Sequence, residues 1–354
     1  MQASGGWIDL MVSAVIATRN RPDDTRRLML SLSRLGTVLK EIVIVDASDI
    51  PFVLEREQAG MASRVRTEVV LSAPSLSHQR NLGIQRAAEP FILLCDDDLE
   101  FPENYLEVLL TMMEEHPTVH VATGLCYERS PNGTWETSLP SAKLKNMMWS
   151  WFFQLGLWKS VERRVVSSGA QTLEGMFRHT FETYYQKVGN SLSKGGWPLV
   201  TQITSEPFTS EIFPLGGALF RTAWLKRNLF DEALDPHGIG DNYDVCLAVA
   251  REHPVTVVPR LAVRHYRSPA GRLAPIIVQQ RRTYALHYFL HKHGKWNRTR
   301  AFWFAWSVFG QILYALMKAR FSSAWMTSKT LLRIVIGRNP LFATVRTTSS
   351  HRAE

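Results

Sequence analysis

The stretch "VSAVIATRNRPDDTRRLMLSLSRLGTVLKEIVIVDAS" (Val12 to Ser48) sets two runs of β-branched and aliphatic residues on either side of one amphipathic segment. Runs that are apolar at nearly every position belong to strands covered on both faces. Such strands are parallel and need a crossover helix between them. "PDDTRRLMLSLSRL" supplies it, with Pro22 and two aspartates suited to a helix start. Outward from this unit the alternation continues through "VLEREQAGMA", "TEVVLS", "LSHQRNLGIQRAA" and "FILLC", as far as residue 95. The fold class is α/β, with a parallel, doubly covered sheet over this region.

Ligands of such sheets sit beyond the carboxyl ends of the strands. The first strand is expected to end at Thr18-Arg19-Asn20, the second at Asp46-Ala47-Ser48 and the fourth at Asp96-Asp97-Asp98, so three polar clusters share one rim. An uncompensated buried charge costs roughly 3–5 kcal/mol. Three carboxylates directly after "FILLC" therefore call for a cation, and Mn²⁺ or Mg²⁺ carrying a nucleotide diphosphate meets that need. Asp96 and Asp98, two residues apart, are expected on one side, with Asp97 pointing away. The plainer alternative is that the triplet caps the helix begun by "PENYLEVLL".

Composition excludes the disordered and fibrous classes: of 354 residues 45% are hydrophobic and 21% charged, with 21 Gly and 17 Pro. Three cysteines without CxxC spacing suggest neither a disulfide framework nor a zinc site, which points to a reduced, cytosolic setting. The N-terminal residues lack the pattern of a secretory signal. The net charge of +9 is uneven: sixteen Lys and Arg stand against one acid from Leu261 onward, and twenty-five against thirty-one before it. A tail this basic meets phosphate as lipid headgroup or nucleic acid, or is simply solvated. Its tryptophans lie in apolar runs rather than among the arginines, so no nucleic acid is expected.

Taken in order, "VIATRNRP", "IVIVDAS", "HQRNLGIQRA", "PFILLCDDD", "GGALFRTAWL", "FDEAL" and "GDNYDV" resemble the family 2 glycosyltransferases over roughly residues 11 to 268. The resemblance implies inverting enzymes with the GT-A fold, a Rossmann-like mixed sheet flanked by helices. It implies that Thr18 and Arg19 contact the nucleotide, that Asp46 reads the base, and that Arg80 and Asn81 lie against the nucleotide. It further implies Asp96 on the ribose side and as a metal ligand, Asp98 as metal ligand, and Gly216-Gly217 where backbone approaches sugar or acceptor. The bland alternatives are a turn cap for Asp46, a solvated helix residue for Asn81, a surface charge for Arg19 and a plain turn for the glycine pair.

Inverting transfer needs a carboxylate that takes the acceptor's proton. In "GIGDNYDVCLA", Asp241 falls at the family's acidic position, Asn242 replaces the usual Asp, and Asp244 follows. Asn242 cannot accept a proton, so Asp241 is the first candidate base and Asp244 the second. His265 resembles a family histidine near metal and diphosphate, the alternative being a structural strand-end residue. Arg267 and Arg272, in "HYRSPAGR", suit a diphosphate or an acceptor phosphate. That string resembles a branch acting on lipid-linked or cell-surface saccharides. The implied partners are a nucleotide diphosphate sugar, a saccharide or polyprenyl-linked acceptor and an anionic membrane surface. The alternatives are a catalytically degenerate nucleotide-sugar-binding or scaffold protein and, more remotely, a phosphotransferase.

Domain boundaries are expected at 10–270 for the transferase domain, comprising a nucleotide half at about 10–125, an insertion at about 140–200 and an acceptor half at about 205–270. A helical, basic, membrane-associating region follows at 271–354. Within it "AFWFAWSVFGQILYALM" (Ala301 to Met317) is uncharged and flanked by Arg298, Arg300, Lys318 and Arg320. As a helix it reaches about 25 Å, against a hydrocarbon core of roughly 30 Å. An interfacial helix, a buried core helix and a transmembrane helix are the three readings, the first favoured by Trp303, Trp306 and Tyr314. "MMWSWFFQLGLW" (Met147 to Trp158) is too short to span and is expected to line the same face. The protein is placed at the cytoplasmic face of a membrane.

Overall fold

A computed structural model describes residues 10–54, 65–162, 173–234, 236–269 and 271–343. They fall into two compact units, one within Met1–Ser138, Ser205–Thr209 and Pro214–Arg272, the other within Leu139–Thr204, Ser210–Phe213 and Leu273–Glu354. The 140–200 insertion and the basic C-terminal region, separate in the sequence reading, thus share one unit.

The strands are β1 (Val12–Thr18), β2 (Leu39–Asp46), β3 (Arg66–Leu71), β4 (Phe91–Asp96), β5 (Leu99–Glu100), β6 (Val121–Arg129), β7 (Trp135–Thr137), β8 (Leu157–Trp158), β9 (Leu199–Val200), β10 (Phe208–Ser210), β11 (Ala218–Arg221) and β12 (Val255–His265). The helices are α1 (Pro22–Leu32), α2 (Leu76–Arg86), α3 (Tyr105–Glu115), α4 (Leu144–Phe153), α5 (Leu173–Val188), α6 (Thr222–Arg227), α7 (Asp241–Val249), α8 (Pro275–Lys292), α9 (Arg298–Met317) and α10 (Phe321–Val335). The helix expected over "VLEREQAGMA" lies, from residue 55 on, outside the described residues.

Neighbouring strands of the main sheet run β12-β6-β11-β4-β1-β2-β3. β3, β2, β1 and β4 are parallel, whereas β11 is antiparallel to β4 and β6, which makes the sheet mixed. Val12, Ala14 and Ile16 share a core with Leu28, Met29 and Leu32 of α1. On the other face Gly83 lets α2 lie directly on the sheet, since a Cβ there would come 2.4 Å from Val15 Cγ1. Strand order reverses at β1 and β4, where Ala17 pairs with Asp96, while Thr18 pairs with Asp46 across β2. Such a reversal opens a crevice at the carboxyl ends.

"VTVVP" and "LAVRH" lie in one strand, β12, parallel to β6 with an irregularity between Val258 and Ala262. Pro259, which has no N–H for the ladder, sits within it. Gly124 opposite has no Cβ, which would fall 2.4 Å from the Leu261 carbonyl oxygen.

In the second unit α9 contains the uncharged run. Its Phe304, Ser307, Val308 and Gly310 are buried, and Trp197 Nε1 donates to Ser307 Oγ at 2.6 Å. Among the described residues no helix is long and apolar enough to cross a membrane. α8 carries buried His287, ringed by Trp296, Phe304, Phe342 and His291, with centroids 4.5 to 5.9 Å away. The Asn339 amide nitrogen, which can only donate, lies 3.0 Å from His287 Nδ1, so the ring is neutral. Burial, then His291, pushes its pKa down to about 4. Because the folded value lies below the unfolded one, this stabilisation is complete above about pH 6.5 and falls by about 3 kcal/mol as the pH drops to 4. Urea unfolding at both ends of that window is expected to show the loss in the native chain and a smaller one in His287→Gln.

Candidate active site

The acidic triplet at the end of β4 faces three sets of partners. Asp96 Oδ1 accepts from Arg80 Nη2 at 2.6 Å, and Arg80 Nη1 reaches Asp241 Oδ2 at the first residue of α7. Arg80 is 3% exposed and lies 5.1 Å over the Phe230 ring. Burial opposes its charge, but Asp241 and Asp96 outweigh that and raise its pKa. Gly216 makes room for this cluster, because a Cβ there would sit 2.1 Å from Asp96 Oδ2. Gly217 follows with φ +88 and donates its N–H to the Leu94 carbonyl at 2.6 Å.

Asp97 was expected to point away from the site. Instead it is buried and accepts from Thr18 Oγ1 and Arg21 Nη1, each at 2.9 Å. Burial pushes its pKa up to about 6 against the pull of Arg21. The two-residue spacing describes an extended backbone, whereas these partners come from the last residue of β1 and the loop after it, brought alongside by the parallel pairing.

Asp98 is also buried, with Oδ1 3.2 Å from His265 Nε2 and Oδ2 accepting from Ser268 N at 2.9 Å. Arg272 Nη2 approaches the same Oδ2 at 3.4 Å and its Nε donates to the Ser268 carbonyl at 2.6 Å. Burial works against the Asp98 carboxylate, yet His265 holds its pKa below the usual value. Burial likewise opposes the His265 imidazolium, while bonds to Asp98, Cys126 and Glu128 push its pKa up to about 12. Arg267, with φ +54, pairs with Glu128 Oε2 at 2.8 Å.

Two implied contacts are already occupied by the fold. Asp46 is fully buried: its Oδ1 accepts from Ser48 N at 2.9 Å and its Oδ2 from Phe52 N at 2.6 Å, so it organises its own turn. Asn81 Nδ2 donates to the Phe230 carbonyl and Glu232 Oε1, both at 2.8 Å, and its Oδ1 accepts from Phe230 N. Asp46 has the contacts of a turn cap, whereas Asn81 is buried and paired rather than solvated. Arg19 is exposed just past β1, and Asp244 is buried one turn into α7. Beyond the β1 and β2 ends lies a cavity of about 480 Å³ lined by Thr18, Asn20, Arg26, Ser48, Asp49 and Phe52. Asn20 and Asp49 close one side, side chain to side chain at 2.8 Å. Sequence reasoning missed Arg21, Ser268 and Glu128, although "RNRP" after the first strand displays Arg21 openly.

Among the described residues no group of three or more His, Cys, Asp and Glu could hold a metal ion. Asp98 and His265 nevertheless present one carboxylate and one imidazole to each other, a donor pair that fits a cation taking its other ligands from phosphate and water. An imidazole that gives up its proton to such a cation would suit Mn²⁺ better than Mg²⁺.

Residues 13–181 match the family model described as Glycosyl transferase family 2. No curated protein sequence matches the chain. Among solved structures, GalNAc-T7 with UDP, GalNAc and Mn²⁺ is similar at a TM-score of 0.52 and 15% identity, over 87% of this chain and 57% of that one. TarS from S. aureus is similar at a TM-score of 0.43 and 15% identity, over 82% and 45%. TarS 1–349 in complex with UDP gives 0.44 and 14%, over 92% of each chain. The chain thus spans about half the length of the TarS and GalNAc-T7 chains. The mixed sheet with its crevice is the GT-A fold of GalNAc-T7, and residues 13–181, just under half of the chain, match the model of glycosyl transferase family 2.

Proposed function

We propose that this chain is a metal-dependent inverting glycosyltransferase that moves a sugar from a nucleotide diphosphate onto a saccharide or polyprenyl-linked acceptor, in cell-envelope glycan assembly at the cytoplasmic face of a membrane. The observation that carries the reading is the buried Asp98 carboxylate beside His265, 3.2 Å apart, at the strand-order reversal. GalNAc-T7, solved with UDP, GalNAc and Mn²⁺, supports Mn²⁺ as the first cation to test.

Asp98 and His265 would hold the cation, whose chemistry is to stabilise charge on the departing diphosphate. Arg272, which pairs with Asp98, would meet the same phosphates, and Arg267, which pairs with Glu128, the diphosphate or an acceptor phosphate. The cavity past β1 and β2 takes the base, and with Asp46 committed to its turn, Asn20, Ser48 and Asp49 are the groups that read it. Thr18 and Arg19 lie on the same rim. Asp241 takes the proton of the acceptor hydroxyl as its oxygen attacks the anomeric carbon, and the bond to the diphosphate breaks with inversion. Asn242 and the Arg80 contact on Asp241 favour a second reading, a nucleotide-sugar-binding scaffold without turnover.

A thermal-shift panel of UDP, GDP, dTDP, ADP and CMP, with and without Mn²⁺, tests this. A ligand at about 100 times its dissociation constant adds roughly 2.7 kcal/mol. One nucleotide is expected to give a Mn²⁺-dependent shift that Asp98→Asn erases. No shift with any nucleotide overturns the donor-binding reading, and a shift without transfer to any acceptor selects the scaffold.

A further inference from the structure

α10 carries a surface that sugar transfer does not use. Its Ala324, Thr330 and Ile334 are buried, while Phe321, Trp325, Leu332 and Val335, with Ile336 just beyond its end, are between 51 and 70% exposed. At 3.6 residues per turn these five side chains fall within a stripe roughly 100° wide. Lys329 and Arg333 border the stripe, Lys318 and Arg320 precede the helix and Arg338 follows it, all exposed. Lys329 Nζ lies 4.8 Å over the Trp325 ring, a charge riding above an aromatic body. Between residues 273 and 343 there are eleven Lys and Arg and no Asp or Glu. A contiguous exposed apolar face marks an interaction site. A purely basic rim selects an anionic counterpart with an apolar interior beneath it, which is the chemistry of an anionic lipid bilayer.

We propose that α10 is a membrane-docking helix lying in the interface plane of a bilayer rich in anionic lipid. Phe321, Trp325, Leu332, Val335 and Ile336 sit below the headgroups, and Lys318, Arg320, Lys329, Arg333 and Arg338 lie among the phosphates. Its fifteen residues reach about 22 Å, too short to span and long enough to lie flat. The sequence pattern gives this role to Ala301–Met317; α9 buries Phe304, Ser307, Val308 and Gly310 within its own unit and leaves Phe302, Phe309, Tyr314, Leu316 and Met317 exposed. The proposal deepens the peripheral-membrane part of the proposed function and rests on it, independently of which base or sugar is used.

The test is sedimentation of the full chain with vesicles of equal parts phosphatidylglycerol and phosphatidylcholine, and with vesicles of phosphatidylcholine alone. Preferential binding to the mixed vesicles, weakening with salt, is expected. Trp325→Ser with Leu332→Ser is expected to reduce it roughly tenfold or more. Lys329→Gln with Arg333→Gln is expected to reduce it by about tenfold on mixed vesicles only. Nucleotide thermal shifts should stay unchanged in both variants, which separates failure here from failure of the sugar-transfer reading. The proposal is overturned if mixed vesicles bind no better than phosphatidylcholine, or if the Trp325/Leu332 variant binds as well as the native chain. It is also overturned if the native chain is a dimer that this variant dissociates, since a second copy would then cover the stripe.

Discussion

Asp241→Asn is expected to lower kcat for sugar transfer by about 10²–10⁴-fold, the usual contribution of a positioned general base, while leaving nucleotide binding and the donor KM within a few fold. The carboxylate stands at the first residue of α7, 7% exposed, with Oδ1 accepting from Asn242 N at 2.7 Å and Oδ2 from Arg80. Burial raises its pKa and Arg80 opposes that, with a net rise, so its proton affinity exceeds that of an ordinary carboxylate. Asparagine keeps the size but offers a single acceptor oxygen, so it can accept from Asn242 or from Arg80 and not from both, and it cannot take a proton. A loss confined to kcat therefore reports proton transfer rather than a collapsed site. Asp244→Asn serves as the control: buried one turn on, it is expected to act on stability with kcat changed only a few fold. Steady-state transfer assays of the two variants decide between them, and a kcat loss in Asp244→Asn alone moves the base to that residue.

The strand ends were legible because parallel strands covered on both faces stop abruptly where polarity begins. Thr18, Asp46 and Asp96 close β1, β2 and β4 where the apolar runs end. What those end residues do was less legible. Asp46 is followed by Ser48 in "DASDIP", a local turn signal that competes with any ligand for its oxygens. The partners of Asp97 come from residues 18 and 21, so their meeting depends on the pairing of β1 with β4 rather than on local spacing. The union of residues 139–204 with 273–343 in one unit is likewise written in no short pattern. α10 escaped notice because an uncharged run draws the eye to Ala301–Met317, whereas Phe321, Trp325, Leu332 and Val335 are interrupted by Ser, Thr and Lys and form a face only at helical spacing.

Arg80 joins the two acidic residues that the chemistry needs, and Arg80→Met is expected to destabilise the chain by about 3–5 kcal/mol, the cost of leaving a buried charge without its partner. Asp96, whose side chain is 38% exposed, can turn to water, so the larger share falls on Asp241, at 9%. Methionine fills most of the volume over Phe230, which makes electrostatics rather than a cavity the cause. Arg80→Lys keeps the charge but not the planar fork that meets Asp96 and Asp241 together, and is expected to recover only part of the loss. Arg80→Met combined with Asp241→Asn removes the stranded carboxylate and should be more stable than Arg80→Met alone, a coupling that packing loss would not produce. Urea unfolding of these variants reads all three expectations without relying on turnover, which Asp241→Asn already suppresses. Equal stability of the double variant and Arg80→Met would show that the arginine acts through its contacts with Phe230 rather than through charge.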